Sequence, residues 1–253
     1  MAKLNKQPKI VIVMPAYNAE QTLEDTYYEI PPKLRQYIIL VDDKSRDQTV
    51  KVANKLKIKT FEHKRNTGYG GNQKTCYTEA LKLKPDVVAM LHPDYQYSAE
   101  CLPALVQPII DGKYDFMFGS RIHSRKSALE GGMPKLKYFT NRFFCVLQNI
   151  LLGVNFTEHF SGFRAYSAEL LRTVPFQHFS NDFVFDIQMT FSAVDHNFRI
   201  GEIPIPTRYE EKSSSMSMKK GAKLIVEIFK LFFIYAGHNL GLTESPLFAR
   251  RDT

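Results

Sequence analysis

The stretch "YIILVDDKSRDQTVKVANKL" (Tyr37–Leu56) decides how the rest of the chain is read. It opens as a continuous apolar run rich in β-branched residues and stops at two acids, Asp42 and Asp43. Ser45 and Gln48 follow at the spacing of a capping box, with Val50, Val52 and Leu56 placed behind them as a helix would bury them. A strand without polar alternation that feeds a capped helix is half of a βαβ unit. Its sheet is buried on both faces.

The same grammar extends in both directions. "KIVIVMP" (Lys9–Pro15) precedes it, and "IKTFEH" (58–63), "DVVAMLH" (86–92) and "YDFMFGS" (114–120) follow as further strands. Between them "GNQKTCYTEALKL" (71–83) reads as a helix, and another opens near Ser98. The pattern predicts an α/β domain with a largely parallel sheet. In such sheets ligands bind beyond the carboxyl ends of the strands. Four strands end there in polar groups: Pro15-Ala16-Tyr17-Asn18, Asp42-Asp43, His92-Pro93-Asp94 and Gly119-Ser120-Arg121.

Past Arg121 the signals loosen. "HSRKSALEGGMPK" (123–135) reads as a polar loop and "LKYFTNRFFCVLQNILLG" (136–153) as a helix. "FSGFRAYSAELL" (160–171) is a short strand or a turn entering a helix, and "NDFVFDIQMTFSAV" (181–194) is a helix. "FRIGEIPIPTRY" (198–209) is extended, "EEKSSSMSMKKGAK" (210–223) is a serine- and lysine-rich loop, and Lys219–Tyr235 form a basic amphipathic helix. Such a helix suits an anionic membrane surface, the protein's own domain or a partner chain.

Three segments carry chemistry. "AMLHPDYQYS" (Ala89–Ser98) places His92, Asp94 and Gln96 on alternate positions. A strand fraying into a polar turn explains that, and so does a set of ligands converging on a metal. "NTGYGGNQ" (66–73) lacks the G-x-G-x-x-G spacing of a dinucleotide loop and suits a tight turn or close backbone approach. Asp182 and Asp186 stand four apart, the spacing of one helix face.

The 253 residues carry a net charge of +8, which favours an anionic partner: nucleic acid, a membrane surface or a phosphorylated ligand. No nucleic-acid-binding motif accompanies it. Three cysteines in no CxxC spacing imply a reducing compartment and no cysteine-rich metal site. The polar, lysine-rich start has no apolar signal core, and "LIVEIFKLFFIYAG" (224–237) is interrupted by Glu227 and Lys230. A cytoplasmic protein, peripheral at the inner face of a membrane, is the expectation.

Taken together the motifs resemble those of family 2 glycosyltransferases with the GT-A fold. "VDDKSRDQT" (41–49) is similar to the family's DDxSxDxT motif, and "MPAYNAEQTL" (14–23) to P-x-Y-N-x-E-x-x-L. "HPDYQ" (92–96) falls where the family carries an acid-x-acid metal motif, with His92 at the first acid's place. "GSR" (119–121), "FSGFRAY" (160–166) and "PTRYEEKSSS" (206–215) resemble later motifs of one branch. That branch contains dolichyl-phosphate mannose synthase and bacterial polyprenyl-phosphate glycosyltransferases.

The resemblance implies a mostly parallel sheet flanked by helices, with a C-terminal amphipathic helix. A polar tail (1–8) would precede a catalytic domain (9–218), split into a nucleotide-sugar half (9–121) and an acceptor half (122–218), and a helical extension (219–253) would follow. It also implies an inverting transfer from a UDP- or GDP-sugar to a polyprenyl phosphate. Asp42 would hold the nucleobase, with Asp43 beside it and Pro15, Tyr17 and Glu20 lining the nucleoside pocket. Asp94 would bind the donor through Mg²⁺ or Mn²⁺, with Gln96 and His92 as further ligands. Arg121, Ser161 and Arg208 would bind the acceptor. Asp94, Arg121 and Asp182 would form the catalytic set, Asp182 as base if the acceptor is a glycan or other hydroxyl. The remaining alternative is an inactive, nucleotide-binding subunit, and a homo-oligomer fits either case.

Overall fold

A computed structural model describes residues 7–122, 124–130, 132–206 and 218–249. The strands are β1 (Ile10–Ala16), β2 (Ile38–Asp42), β3 (Lys59–Glu62), β4 (Val87–Met90), β5 (Phe116–Ser120), β6 (Arg164–Ser167) and β7 (Ile200–Pro204). The helices are α1 (Leu23–Glu29), α2 (Thr49–Lys55), α3 (Tyr69–Lys82), α4 (Leu102–Ile110), α5 (Arg125–Glu130), α6 (Lys135–Leu152), α7 (Ala168–Thr173), α8 (Phe185–Asp195) and α9 (Met218–Asn239).

All seven strands form one sheet in the order β3-β2-β1-β4-β6-β5-β7. β6 runs antiparallel to both its neighbours, and every other pairing is parallel. The apolar runs are buried on both faces, as their lack of alternation predicts. Val11 and Val13 face the side covered by α3, α8 and α9, whereas Ile12 and Met14 face the side covered by α1, α2 and α4.

The five strands read from the sequence are present. The two others come from segments read only as extended or ambiguous, because their apolar runs are short and interrupted by Arg164, Glu202 and Pro204. β6 inserts between β4 and β5, so the two expected halves share one sheet. α9 buries Ile228, Leu231 and Tyr235 in the same core as β1 and β4.

Two local readings need correction. The Ser45–Gln48 capping box does not form. α2 begins at Thr49, and Asp47 caps the turn by accepting from the Thr49 amide (3.0 Å) and hydroxyl (2.5 Å). Ser45 is engaged elsewhere, accepting from the Asn18 amide at 2.8 Å. The segment 123–135, read as loop, contains the single-turn helix α5.

Candidate active site

Because β1, β2, β4 and β5 are parallel, their carboxyl ends share one edge, and antiparallel β6 brings its first residue, Arg164, to that edge opposite Met90 and Phe118. The polar residues expected to meet there do so.

At the β1–β2 end the two loops are laced by short hydrogen bonds. Asn18, at φ 52°, accepts from the Arg46 amide at 2.8 Å, and Ala19 N donates to Thr49 Oγ1 at 2.7 Å. Glu20 accepts from the Gln48 amide at 2.7 Å, and Tyr17 is half-exposed beside them. Asp42 is buried: one carboxylate oxygen accepts from Ser45 N at 2.9 Å, while Oδ1 has no partner. An unpartnered buried carboxylate oxygen is costly, and an N–H donor there would relieve that cost.

Asp43 faces the other way. Its carboxylate accepts from the Thr67 amide (2.7 Å) and hydroxyl (2.8 Å) and from Gly68 N (3.0 Å), and His63 Nδ1 lies at 2.8 Å. Asp43 therefore anchors the loop before α3. Gly68 adopts φ 87°, and a Cβ there would meet the Asn181 carbonyl at 2.5 Å. The amides of Gly70 and Gly71 donate to that same carbonyl. The glycine loop is thus a close backbone approach to Asn181, with these amides turned away from any phosphate.

The centre of the edge is the "HPDYQ" segment. Asp94 Oδ1 accepts from Gln96 N at 3.1 Å, closing a turn in which Tyr95 takes φ 58°. Among the described residues, Asp94 Oδ2 and the Gln96 side-chain amide meet no protein partner. His92 stacks on Tyr69 (5.4 Å between centroids, 14°), and its Nε2 lies 3.1 Å from the Tyr69 hydroxyl. That hydroxyl donates to Asp186 at 2.7 Å. A carboxylate only accepts, so the tyrosine proton lies toward Asp186 and the phenolic oxygen accepts from His92 Nε2–H. The Nδ1 lone pair of neutral His92 is left for another partner. Gly162 is required beside it, since a Cβ would meet His92 Nε2 at 2.7 Å. The Tyr69 hydroxyl is pushed well above its usual pKa by burial and by the charge of Asp186.

The acceptor end differs from expectation. Arg121 is buried and forms an ion pair with fully buried Glu158, which also accepts from Arg121 N (2.8 Å) and Asn141 Nδ2 (3.0 Å). Burial alone would raise the Glu158 carboxyl, but the charge and hydrogen bonds of Arg121 hold it below the usual range. The expectation of a solvent-facing arginine clamp is therefore revised: Glu158 largely neutralises this guanidinium. Ser161 is fully buried, and its hydroxyl accepts from Phe163 N at 3.3 Å. Arg208 lies outside the described residues.

Asp182 and Asp186 do not share a helix face, because α8 begins only at Phe185. Asp182 precedes it, and Lys223 of α9 donates to its carboxylate at 2.7 Å. Burial pushes the Asp182 carboxyl up, but the Lys223 hydrogen bond, the Phe183 amide and the charges of Lys223 and Lys220 outweigh it and place it below its usual range. Asp186 is buried, accepting from Tyr69 and from Gln73 Nε2 (3.2 Å), with Arg164 Nε 3.9 Å away. Arg164 also donates to the Ser161, His159 and Asp186 carbonyls, tying the SGF turn to α8.

Sequence reasoning missed Tyr69, Glu158 and Arg164. The last two had a signal: an acid and a base within the otherwise aromatic "NFTEHFSGFRAY" (155–166), where isolated charges require each other or a partner. Tyr69 had none, since its partners lie 23 and 117 residues away.

Comparison with known proteins agrees with this geometry. The model of glycosyl transferase family 2 matches residues 11–174. A UDP-N-acetylglucosamine–dolichyl-phosphate N-acetylglucosaminyltransferase of Methanococcus voltae is 27% identical over 241 residues, covering 88% of this chain and 93% of the relative. A dolichyl-phosphate hexose transferase of Haloferax volcanii is 30% identical over 203 residues, covering 79% and 82%. Among solved structures, glucosyl-3-phosphoglycerate synthase from Mycobacterium tuberculosis, in complex with Mn²⁺, UDP-glucose and phosphoglyceric acid, superposes with a TM-score of 0.69 at 18% identity. It covers 94% of this chain and 82% of its own. With the sheet order, the strand-end motifs and the family match in agreement, the chain belongs to glycosyl transferase family 2.

Proposed function

We propose that the protein is an inverting, metal-dependent glycosyltransferase that moves a sugar from a nucleoside-diphosphate sugar to a polyprenyl phosphate at the inner face of a membrane. The observation that carries the acceptor class is the state of the two candidate bases. A hydroxyl acceptor needs a carboxylate free to take its proton. Asp182 is tied to Lys223 and held below its usual range, and Asp186 is saturated by Tyr69 and Gln73. A phosphate monoester is already anionic near neutral pH and needs no base. The names of the relatives from Methanococcus voltae and Haloferax volcanii support the same class.

In this reading the unpartnered Asp42 Oδ1 accepts an N–H of the nucleobase, with Pro15, Tyr17 and Glu20 around the nucleoside. Asp43 acts indirectly by holding the loop before α3. Among the described residues no cluster of three His, Cys, Asp or Glu side chains is able to hold a metal by itself. The donor set fits a shared ion: Asp94 Oδ2, the Gln96 amide oxygen and His92 Nδ1 would hold Mg²⁺ or Mn²⁺ beside the donor's own diphosphate oxygens. When bound, that ion supplies charge neutralisation of the leaving diphosphate. Arg208 is the guanidinium proposed for the acceptor phosphate, while Arg121 and Ser161 shape that side from within. An acceptor phosphate oxygen attacks the anomeric carbon as its bond to the diphosphate breaks, inverting the centre.

The test is thermal stabilisation by UDP- and GDP-sugars with Mn²⁺, Mg²⁺ or EDTA, followed by transfer to a polyprenyl phosphate or a glycan. Metal-dependent stabilisation by one donor and transfer to the lipid phosphate are expected. Transfer only to a hydroxyl acceptor overturns the acceptor class. Absence of stabilisation by every donor overturns the enzyme reading.

A further inference from the structure

Two helices of this molecule are apolar on both sides. On α6, Tyr138, Phe144, Cys145 and Leu152 face the protein, while Leu136, Phe139, Phe143, Val146 and Ile150 form a second stripe, each between 47% and 76% exposed. Their spacing of three and four residues keeps that stripe on one side of the helix. On α9, Ile228, Leu231 and Tyr235 are buried, while Val226, Phe229 and Phe233 point outward, Phe233 at 78% exposure. The helices adjoin through the Phe144–Phe229 ring contact at 5.7 Å, so the stripes lie side by side. An exposed apolar area of this extent marks a contact surface.

We infer that the outer faces of α6 and α9 together dock on an anionic lipid bilayer, with the two helices lying flat in its interface. The inference rests on the proposed lipid-phosphate acceptor and adds α6 as a membrane-binding element equal to α9. Charge selects the occupant. The two helices carry seven lysines and arginines against one glutamate, most of the chain's net +8. Lys135 and Arg142 flank the α6 stripe, Lys219, Lys223 and Lys230 flank that of α9, and Arg125 of α5 lies 5.8 Å from the centre of the Phe139 ring. Apolar side chains bordered by cations match an acyl boundary beneath anionic headgroups. Among the described residues no helix is long and apolar enough to cross a membrane, so the contact these helices make is from one side. The start of α9 adjoins the site, with Lys223 on Asp182 and Lys220 5.8 Å from the centre of the Phe183 ring. Docking here brings the site to the surface where a lipid acceptor resides.

The experiment is co-sedimentation of the full chain, without donor or acceptor, with phosphatidylglycerol–phosphatidylcholine vesicles and with phosphatidylcholine alone. Binding to the anionic vesicles is expected to weaken roughly tenfold in each of Phe143→Glu, Ile150→Glu and Phe233→Glu. These side chains are exposed, so circular dichroism and donor-induced stabilisation should stay as in the parent, as should transfer to a short, water-soluble prenyl phosphate. Vesicle binding unchanged by the α6 substitutions overturns the inference. A dimer in light scattering that Phe143→Glu dissociates, with no vesicle binding by the parent, also overturns it and makes the face a self-interface. Vesicle binding as expected, with no transfer to any polyprenyl phosphate, leaves the docking surface standing and removes the proposed acceptor instead.

Discussion

At the donor end, Asn18, Ser45, Asp47 and Thr49 hold two loops together through side-chain bonds to backbone amides, and the Asp42 and Asp94 carboxylates each keep an oxygen without a protein partner. At the acceptor end, Arg121–Glu158 and Arg164–Asp186 set full charges inside the core, where each compensates the other. The contrast separates two uses of polar residues. Those near the strand ends on the donor side leave valence for a ligand. Those on the acceptor side satisfy one another and hold the second half of the sheet onto the first. Substitution should therefore impair binding and chemistry at one end and folding at the other.

The largest effect expected from this contrast is on chemistry. Asp94→Ala should lower sugar transfer about a thousandfold while leaving the melting temperature unchanged. Calorimetry alongside a transfer assay checks both halves, and a parallel loss of stability would erase the distinction. Glu158→Ala should do the reverse. It strands the Arg121 guanidinium in the core and should cost about 3 kcal/mol of stability, read as a lower urea midpoint.

Asp43→Ala sits between the two regimes. It removes the acceptor for the Thr67 and Gly68 amides and should cost about 2 kcal/mol, with weaker donor binding by titration calorimetry. Unaltered donor affinity would show that the loop before α3 is scaffold alone.

Acid should act first on the acceptor side. Burial, then the charges of Arg164 and Arg142, bring His159 down to about 3. Its unfolded form titrates near 6.5, so between these values the unfolded state binds the extra proton. Stability should fall as pH drops below about 6.5, by about 1 kcal/mol per pH unit, and the loss should level off near the folded value. Urea midpoints of parent and His159→Gln across this window test it, the variant giving the shallower slope.

The smallest effect is the most selective. Asp182→Asn should change transfer to a polyprenyl phosphate by less than about threefold, because that acceptor has no proton to lose to a base. A loss of about a hundredfold or more would mean that a base is required after all, and would favour a hydroxyl acceptor.

The donor end was readable in the sequence because its partners are close in the chain. Asp42, Asp43, Ser45, Asp47 and Thr49 fall within one turn between β2 and α2, and "MPAYNAEQTL" lies on the neighbouring strand. Even there the reading erred on the cap. Asp47 and Ser45 both suit a helix start, and the demand of Asn18 N for an acceptor decided between them. The acceptor end was poorly readable. The antiparallel insertion of β6, the burial of Arg121 and the divergent fates of Asp182 and Asp186 depend on residues dozens of positions away.

By itself the sequence determined the buried parallel strands, the edge where they present polar groups and the family to which those groups belong. Each follows from runs of residues whose periodicity and spacing act locally. Only the tertiary structure decided which charges are available. It closed Arg121 onto Glu158, turned His92 Nε2 to Tyr69 and set α6 beside α9 with their outer faces bare. The physical reason is that a charge or an apolar face is defined by what covers it, and that cover arrives from distant parts of the chain.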